Sequence, residues 1–212
     1  MSNINQKEIS DKNEKYMLVR ILAAVFITLL VIFDQWTKIL AVEHLMGNKP
    51  IVILDGIFEL TYVENRGAAF GMLSGGVDFF VIVTCILVPV MIYLITKIDN
   101  IVLKYNEVVN RKAYSALKVV IVFLIAGALG NFVDRIVNGF VVDFFYFKLI
   151  DFPVFNVADI YVTLATIALL FILFFVLKER ELDYLIYPKK KWDEITEKTY
   201  KDDKKLENTD KE

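Results

Sequence analysis

The chain has 212 residues, 57% of them hydrophobic and 24% charged, with 24 bases against 26 acids and a formal net charge of -2. Soluble domains average about 45–50% apolar residues at about 25% charge, so the excess is all apolar and the charges must be segregated along the chain, as in a membrane protein with charged ends. One His, one Cys and four Ser exclude a disulfide within the chain, starve a His/Cys zinc site of ligands and restrict any Ser/His triad to His44.

Residues 1–15 are polar and of mixed sign, which predicts a solvated, unstructured end. The first charge-free run, Ile21–Phe33, stops at Asp34. From about 41 to 76, Ile51–Leu54, Gly56 and Phe58–Val63 predict two β-strands around a turn, followed by the small-residue stretch Asn65–Gly71. Phe79–Thr96 is free of Asp, Glu, Lys and Arg for 18 residues, and Ile160–Leu177 likewise. Between them lie the shorter run Val119–Val133, stopping at Asp134, and an extended aromatic stretch, Phe140–Phe147. These aromatics predict a surface lying at the bilayer interface.

At about 1.5 Å per residue and an apolar layer of about 30 Å, all four runs are membrane-span candidates once their flanks are added. Arg20 and Lys118 can snorkel from the shorter two. Asp34 and Asp134, at which helices one and three are expected to end, are pressed against the apolar layer, where a charge is costly and usually functional. The expected fold is therefore a mainly α membrane protein with four transmembrane helices. A small β-rich segment joins helices one and two, and an extended loop joins helices three and four. Residues 1–15 and 181–212 form charged tails around a membrane domain at 16–180. In the second tail, Trp192–Tyr200 is a candidate interfacial helix, and Lys189–Lys191 reads as a cluster facing anionic lipid.

Nineteen of the 24 bases fall on one side of this arrangement, which predicts that both termini are cytoplasmic. No small-residue cleavage site follows Phe33, which argues against reading the first run as a signal peptide. On the opposite, outer side Asp34, Asp134, Asp143 and Asp159 converge at one depth, three of them beside an amide or base: Gln35 and Lys38, Asn131 and Arg135, and Asn156. Outer acids at helix ends can also simply face water.

The segments Asp34-Gln35-Trp36-Thr37-Lys38, Asn65-Arg66-Gly67-Ala68-Ala69-Phe70-Gly71, Gly130-Asn131-Phe132-Val133-Asp134-Arg135, Val141-Val142-Asp143-Phe144 and Phe155-Asn156-Val157-Ala158-Asp159, in this order, resemble the bacterial lipoprotein signal peptidases, signal peptidase type II. The resemblance covers roughly residues 16–180. It implies an aspartic endopeptidase of the bacterial cytoplasmic membrane, its site on the outer side, that cleaves diacylglyceryl-modified prolipoproteins just before the lipidated cysteine. Carried over, the catalytic pair is Asp143 and Asp159. Asp34, Lys38, Asn65, Gly67, Asn131, Asp134, Arg135 and Asn156 are supporting or substrate-binding positions. No metal, cofactor or nucleic acid is expected, and the partners are the prolipoprotein and membrane lipid, with the enzyme a monomer.

The residues agree on their own terms. Two carboxylates can hydrolyse a peptide when one is ionised and the other protonated, which needs an apolar setting without an attached cation. Asp143 lies among Val141, Val142, Phe144 and Phe145, whereas Asp134 has Arg135 adjacent and remains the runner-up partner of Asp159. Asn156 can cap helix four, orient the pair, or both. Arg135 can neutralise Asp134 or hold substrate, Lys38 can snorkel or pair with Asp34, and the Gly67-Ala68-Ala69 turn can leave room for substrate. A Ser74/Lys dyad has no matching motif, His44 reads as a surface residue, and Cys85, Met72 and Met91 read as packing residues. From another class, a small transporter or channel would hold such acids near the bilayer midplane, not at helix ends.

Overall fold

The computed structural model describes residues 2–67, 77–105 and 107–209. Ala68–Gly71 of the second motif, together with Met72 and Ser74, lie outside the described residues. The element order is α1 (Ser2–Leu45), β1 (Ile51–Leu54), β2 (Phe58–Asn65), α2 (Val77–Tyr105), α3 (Arg111–Asn138), β3 (Val141–Phe147), α4 (Val157–Phe171), α5 (Glu179–Ile186) and α6 (Trp192–Thr209). A π-helical turn, Ile172–Val176, extends α4, where the Leu177 N–H reaches the Ile172 carbonyl at 2.9 Å.

Among the described residues, four helices are long and apolar enough to span a bilayer: Glu14–Leu45, Phe79–Tyr105, Arg111–Asn138 and Val157–Val176. Leu22, Leu29, Ile86, Leu164 and Phe175 stand exposed along them, as expected of side chains whose solvent is lipid. Two spans are longer than the sequence predicts. Helices one and three run on through Asp34 and Asp134 to Leu45 and Asn138, because the acids are neutralised inside the fold by Lys38, 2.9 Å from Asp34 and 3.1 Å from Asp134. Gly47 and Gly139, both at positive φ, follow the two helix ends, where a residue with a Cβ would be strained.

The chain divides into two compact units. The unit formed by residues 19–90 and 122–166 holds an antiparallel sheet of order β1-β2-β3. The predicted strand pair is present. The stretch expected as an extended loop is a third strand, pairing Phe58 with Phe147 and Asn65 with Val141. Of its aromatics Phe144 is buried and Phe145 half-buried against the core, while Phe147 is exposed. Val142 and Phe144 form a core with Ala41, Leu45 and Val157, while Phe145 stacks on Phe58 and packs against Phe155. Two glycines of α3 set how closely helices approach in this unit. A Cβ on Gly130 would come within 2.6 Å of Asp34 Oδ2, and one on Gly127 within 2.6 Å of the Ala158 carbonyl.

The other unit comprises residues 1–18, 91–121 and 167–212. Here the first end, expected to be unstructured, is instead helical, with α1 extending back to Ser2, and the chain beyond Lys178 folds as α5 and α6, the second of which contains the candidate helix Trp192–Tyr200. Beyond Lys178 the cause is burial of Tyr184 and Trp192 against Tyr105, with ring centroids 5.2 and 5.9 Å from the Tyr105 ring. The α5 N-terminus is closed by Glu181, which accepts the Lys178 N–H at 2.9 Å. Cys85, expected in packing, is exposed on α2, and His44 is exposed as expected.

Candidate active site

The site is built from the start of α4 outward. Asn156 precedes the first residue of α4, and its Oδ1 accepts the Asp159 N–H at 3.0 Å while Asp159 Oδ2 accepts the Asn156 N–H at 3.1 Å. This reciprocal pair satisfies free N–H groups of the first turn and fixes the Asp159 rotamer. The Asn156 amide is left to donate elsewhere. Its Nδ2 gives hydrogen bonds to Asp143 Oδ1 at 2.6 Å and to Asn131 Oδ1 at 3.0 Å. One asparagine thus joins the Asp143 and Asp159 carboxylates.

Each carboxylate has a second amide. The β2–β3 register sets Val63 opposite Asp143 and Asn65 opposite Val141, and Asn65 Nδ2 donates to Asp143 Oδ2 at 2.9 Å. Asn65 Oδ1 accepts the Gly67 N–H at 3.1 Å, turning the chain there. From α3, Asn131 Nδ2 donates to Asp159 Oδ1 at 2.8 Å.

Behind the two acids lies a second layer. Lys38, 3% exposed, bridges Asp34 and Asp134 and donates to Asn131 Oδ1 at 3.0 Å. Asp34 accepts the Ala158 N–H at 2.8 Å and Asp134 the Val142 N–H at 3.0 Å, so these acids grip the backbone beside Asp159 and beside Asp143. The two acids share the single Lys38 ammonium, and the N–H bonds supply the hydrogen bonding that burial takes from water. Gln35, given no role of its own in the sequence reading, completes the layer by donating to Gly130 O at 3.0 Å and Asp134 Oδ1 at 2.9 Å. Its only signal was an amide next to an aspartate inside an apolar run.

All ten sequence-predicted site residues therefore fall in one unit, eight of them in two linked layers, with Asp134 in the Lys38 layer and Gly67 and Arg135 at the margin. Lys38 pairs rather than snorkels. Arg135 stands apart from both layers, its guanidinium 4.7 Å over the Phe80 ring and its Nη1 donating to Asn131 O at 3.3 Å. Asp143 is 1% exposed. Burial first, and then the charge of Asp159, push its carboxyl up to about 7, against the opposing pull of Asn65, Asn156 and Lys38.

A cavity of about 750 Å³ opens on Asp159. Asn65, Arg135 and Thr163 are its other polar side chains, Gly67 lines it too, and Phe80, Phe147, Ile150, Phe152, Phe155 and Leu164 are among its apolar walls. An apolar groove with a few convergent polar groups at one end is the usual form of a site for a substrate that is mostly grease.

Residues 26–175 match the profile of the family described as Signal peptidase (SPase) II, a stretch that contains both layers of the site. The chain belongs to the signal peptidase II family. Among curated relatives, the lipoprotein signal peptidase of Clostridioides difficile (strain 630) is 39% identical over 155 residues, covering 73% of this chain and 96% of that one. The lipoprotein signal peptidase of Streptococcus thermophilus (strain CNRZ 1066) is 36% identical over 149 residues, covering 70% and 90%. Two solved bacterial membrane enzymes, studied by the in meso method at 1.9 and 2.3 Å resolution, superpose with TM-scores of 0.58 and 0.57. They are 32% and 35% identical and cover 74% and 72% of this chain and 94% and 87% of theirs. As a signal peptidase II, the protein is a membrane-embedded aspartic-type protease. The family profile ends at residue 175, so α5 and α6 lie beyond it.

Proposed function

We propose that this protein removes signal peptides from diacylglyceryl-modified prolipoproteins, cutting before the lipidated cysteine with Asp143 and Asp159 as its catalytic pair. The observation that carries the assignment is Asn156, which hydrogen-bonds both carboxylates at once. Asp143, buried and pushed up to about 7, holds the proton; Asp159, on the cavity wall, is the carboxylate that activates water. Water oxygen attacks the scissile carbonyl carbon as Asp159 takes its proton, and Asp143 gives its proton to the carbonyl oxygen. As the tetrahedral diol collapses, the C–N bond breaks, the leaving nitrogen takes the proton from Asp159, and a diol hydroxyl returns one to Asp143.

Asn65, Asn131 and Asn156 orient the pair, and Asp34, Lys38 and Asp134 hold the backbone that carries it. Asp134 serves as an anchor because Lys38, Gln35 and the Val142 N–H occupy its carboxylate, whereas a proton-sharing acid needs no tightly bound cation. Arg135 and the Gly67 turn face the substrate's polar linkage, and the apolar walls take its signal helix and acyl chains. The bias of the bases supports cytoplasmic termini, a site at the outer face of the bacterial cytoplasmic membrane, and charged segments 1–15 and 181–212 flanking the peptidase domain. The enzyme acts as a monomer and without a cofactor.

The test is cleavage of a diacylated prolipoprotein and of its unlipidated form by the purified protein. Turnover confined to the diacylated form is expected. Equal turnover of both would remove the lipid from the proposal, and no turnover of either would remove the substrate class.

A further inference from the structure

The segment Ile186–Lys191 has a composition that water does not explain. Ile186 is 71% exposed, Tyr187 and Pro188 are exposed beside it, and three consecutive exposed lysines, Lys189–Lys191, follow on a single 3-10 turn. Its position is fixed by α2. Lys97, the first charged residue after the charge-free run of that helix, is buried and donates from Nζ to the carbonyls of Leu185 at 2.6 Å and Tyr187 at 3.0 Å. The turn therefore sits at the level where α2 leaves the apolar layer. On the same unit the end of the fourth span presents Phe174 and Phe175, the latter 77% exposed, to lipid. An exposed isoleucine and tyrosine at that depth, with three ammonium groups just beyond them, match the acyl-to-headgroup order of a leaflet.

We propose that Ile186–Lys191 is a docking site for anionic phospholipid headgroups, built onto the family's peptidase body by the α5–α6 extension. Of the acids that follow the turn, Asp193 is held away from the lysines by Lys104 at 2.8 Å and by the Tyr105 hydroxyl at 2.7 Å, and Glu194 makes no ion pair with them among the described residues. Lys191 Nζ stands 4.9 Å over the Tyr187 ring, which joins the basic turn to its apolar foot. The turn itself is braced from behind by the Lys191 N–H to Pro188 O bond at 2.9 Å and by Trp192 Nε1, which donates to Tyr187 O at 3.2 Å. Near an anionic surface each lysine strengthens attachment by about fivefold.

The test uses the full chain reconstituted in phosphatidylcholine bilayers with and without phosphatidylglycerol, read by amide hydrogen exchange over residues 185–192. Exchange is expected to slow severalfold when phosphatidylglycerol is present. The slowing should disappear in K189Q/K190Q/K191Q and at high salt, and persist in K198Q/K201Q, which removes lysines of α6 instead. Unchanged thermal unfolding of the triple variant in phosphatidylcholine alone establishes that it folds. Equal exchange in the two bilayers, or slowing that survives the triple substitution, overturns the proposal. Equal loss in K198Q/K201Q overturns it as well, since the tail would then respond to charge without a site.

Discussion

In the proposed mechanism, Asp143 is the residue on which the pH behaviour of this protease turns. Its carboxyl is raised from an ordinary 3.8 to about 7, so its proton is held below that value and lost as pH rises through it. Activity that needs the protonated form is expected to be flat just below pH 7 and to fall by about tenfold per pH unit well above it, as kcat/KM against pH will read. The stability tied to this group has the same sign: it is fully present below the unfolded-state value and is lost as pH rises through about 7. Lys38 carries the second layer. Lys38→Met leaves Asp34 and Asp134 buried without their cation, and thermal unfolding in detergent is expected to report a loss of about 3–5 kcal/mol. Asp143 and its apolar neighbours were legible in the sequence, because Val-Val-Asp-Phe announces a desolvated acid. The partnership of Lys38 with Asp134 was not, since 96 residues separate the two and nothing local links them.

At the scale of elements, α3 is the helix against which the site is assembled, and glycine allows it. Gly127→Ala places a methyl 2.6 Å from a backbone carbonyl of α4, which has no flexible end to move aside. A loss of about 1–3 kcal/mol is expected, together with a drop in kcat, because Asn131 and Asp159 are carried on the two elements forced apart. Unchanged unfolding and turnover in Gly127→Ala would mean that the helices have room to separate. Spans were readable as charge-free runs because the thickness of the bilayer sets their length. Their ends were not, because an acid read as a stop is tolerated once a lysine one turn later neutralises it. Strands β1 and β2 were visible from β-branched runs around Gly56, while β3 was visible only as extended. Its pairing with β2 depends on a chain segment some 80 residues earlier, and so does the burial of Phe144 in the core.

For the molecule as a whole, an excess of grease beside ordinary charge becomes a division of labour. Many charges lie in the tails and connections; of those inside the spans, Asp34, Lys38, Asp134 and Asp159 are paired or hydrogen-bonded at the site, and Lys97, Asp99 and Lys118 away from it. A helix from Trp192 was legible in the second tail, but the seat of Trp192 was not, because it depends on Tyr105 and Tyr184 being folded against it. The central claim is that Asp143 and Asp159 act as a pair, with Asp134 in support. It is tested most directly by single-turnover cleavage of a diacylated prolipoprotein with Asp143→Asn, Asp159→Asn and Asp134→Asn, each checked for retained helical content. The account predicts no product from the first two and slowed but measurable product from the third, with a lowered unfolding temperature. Turnover by Asp143→Asn or Asp159→Asn, or its complete loss in a well-folded Asp134→Asn, would contradict it.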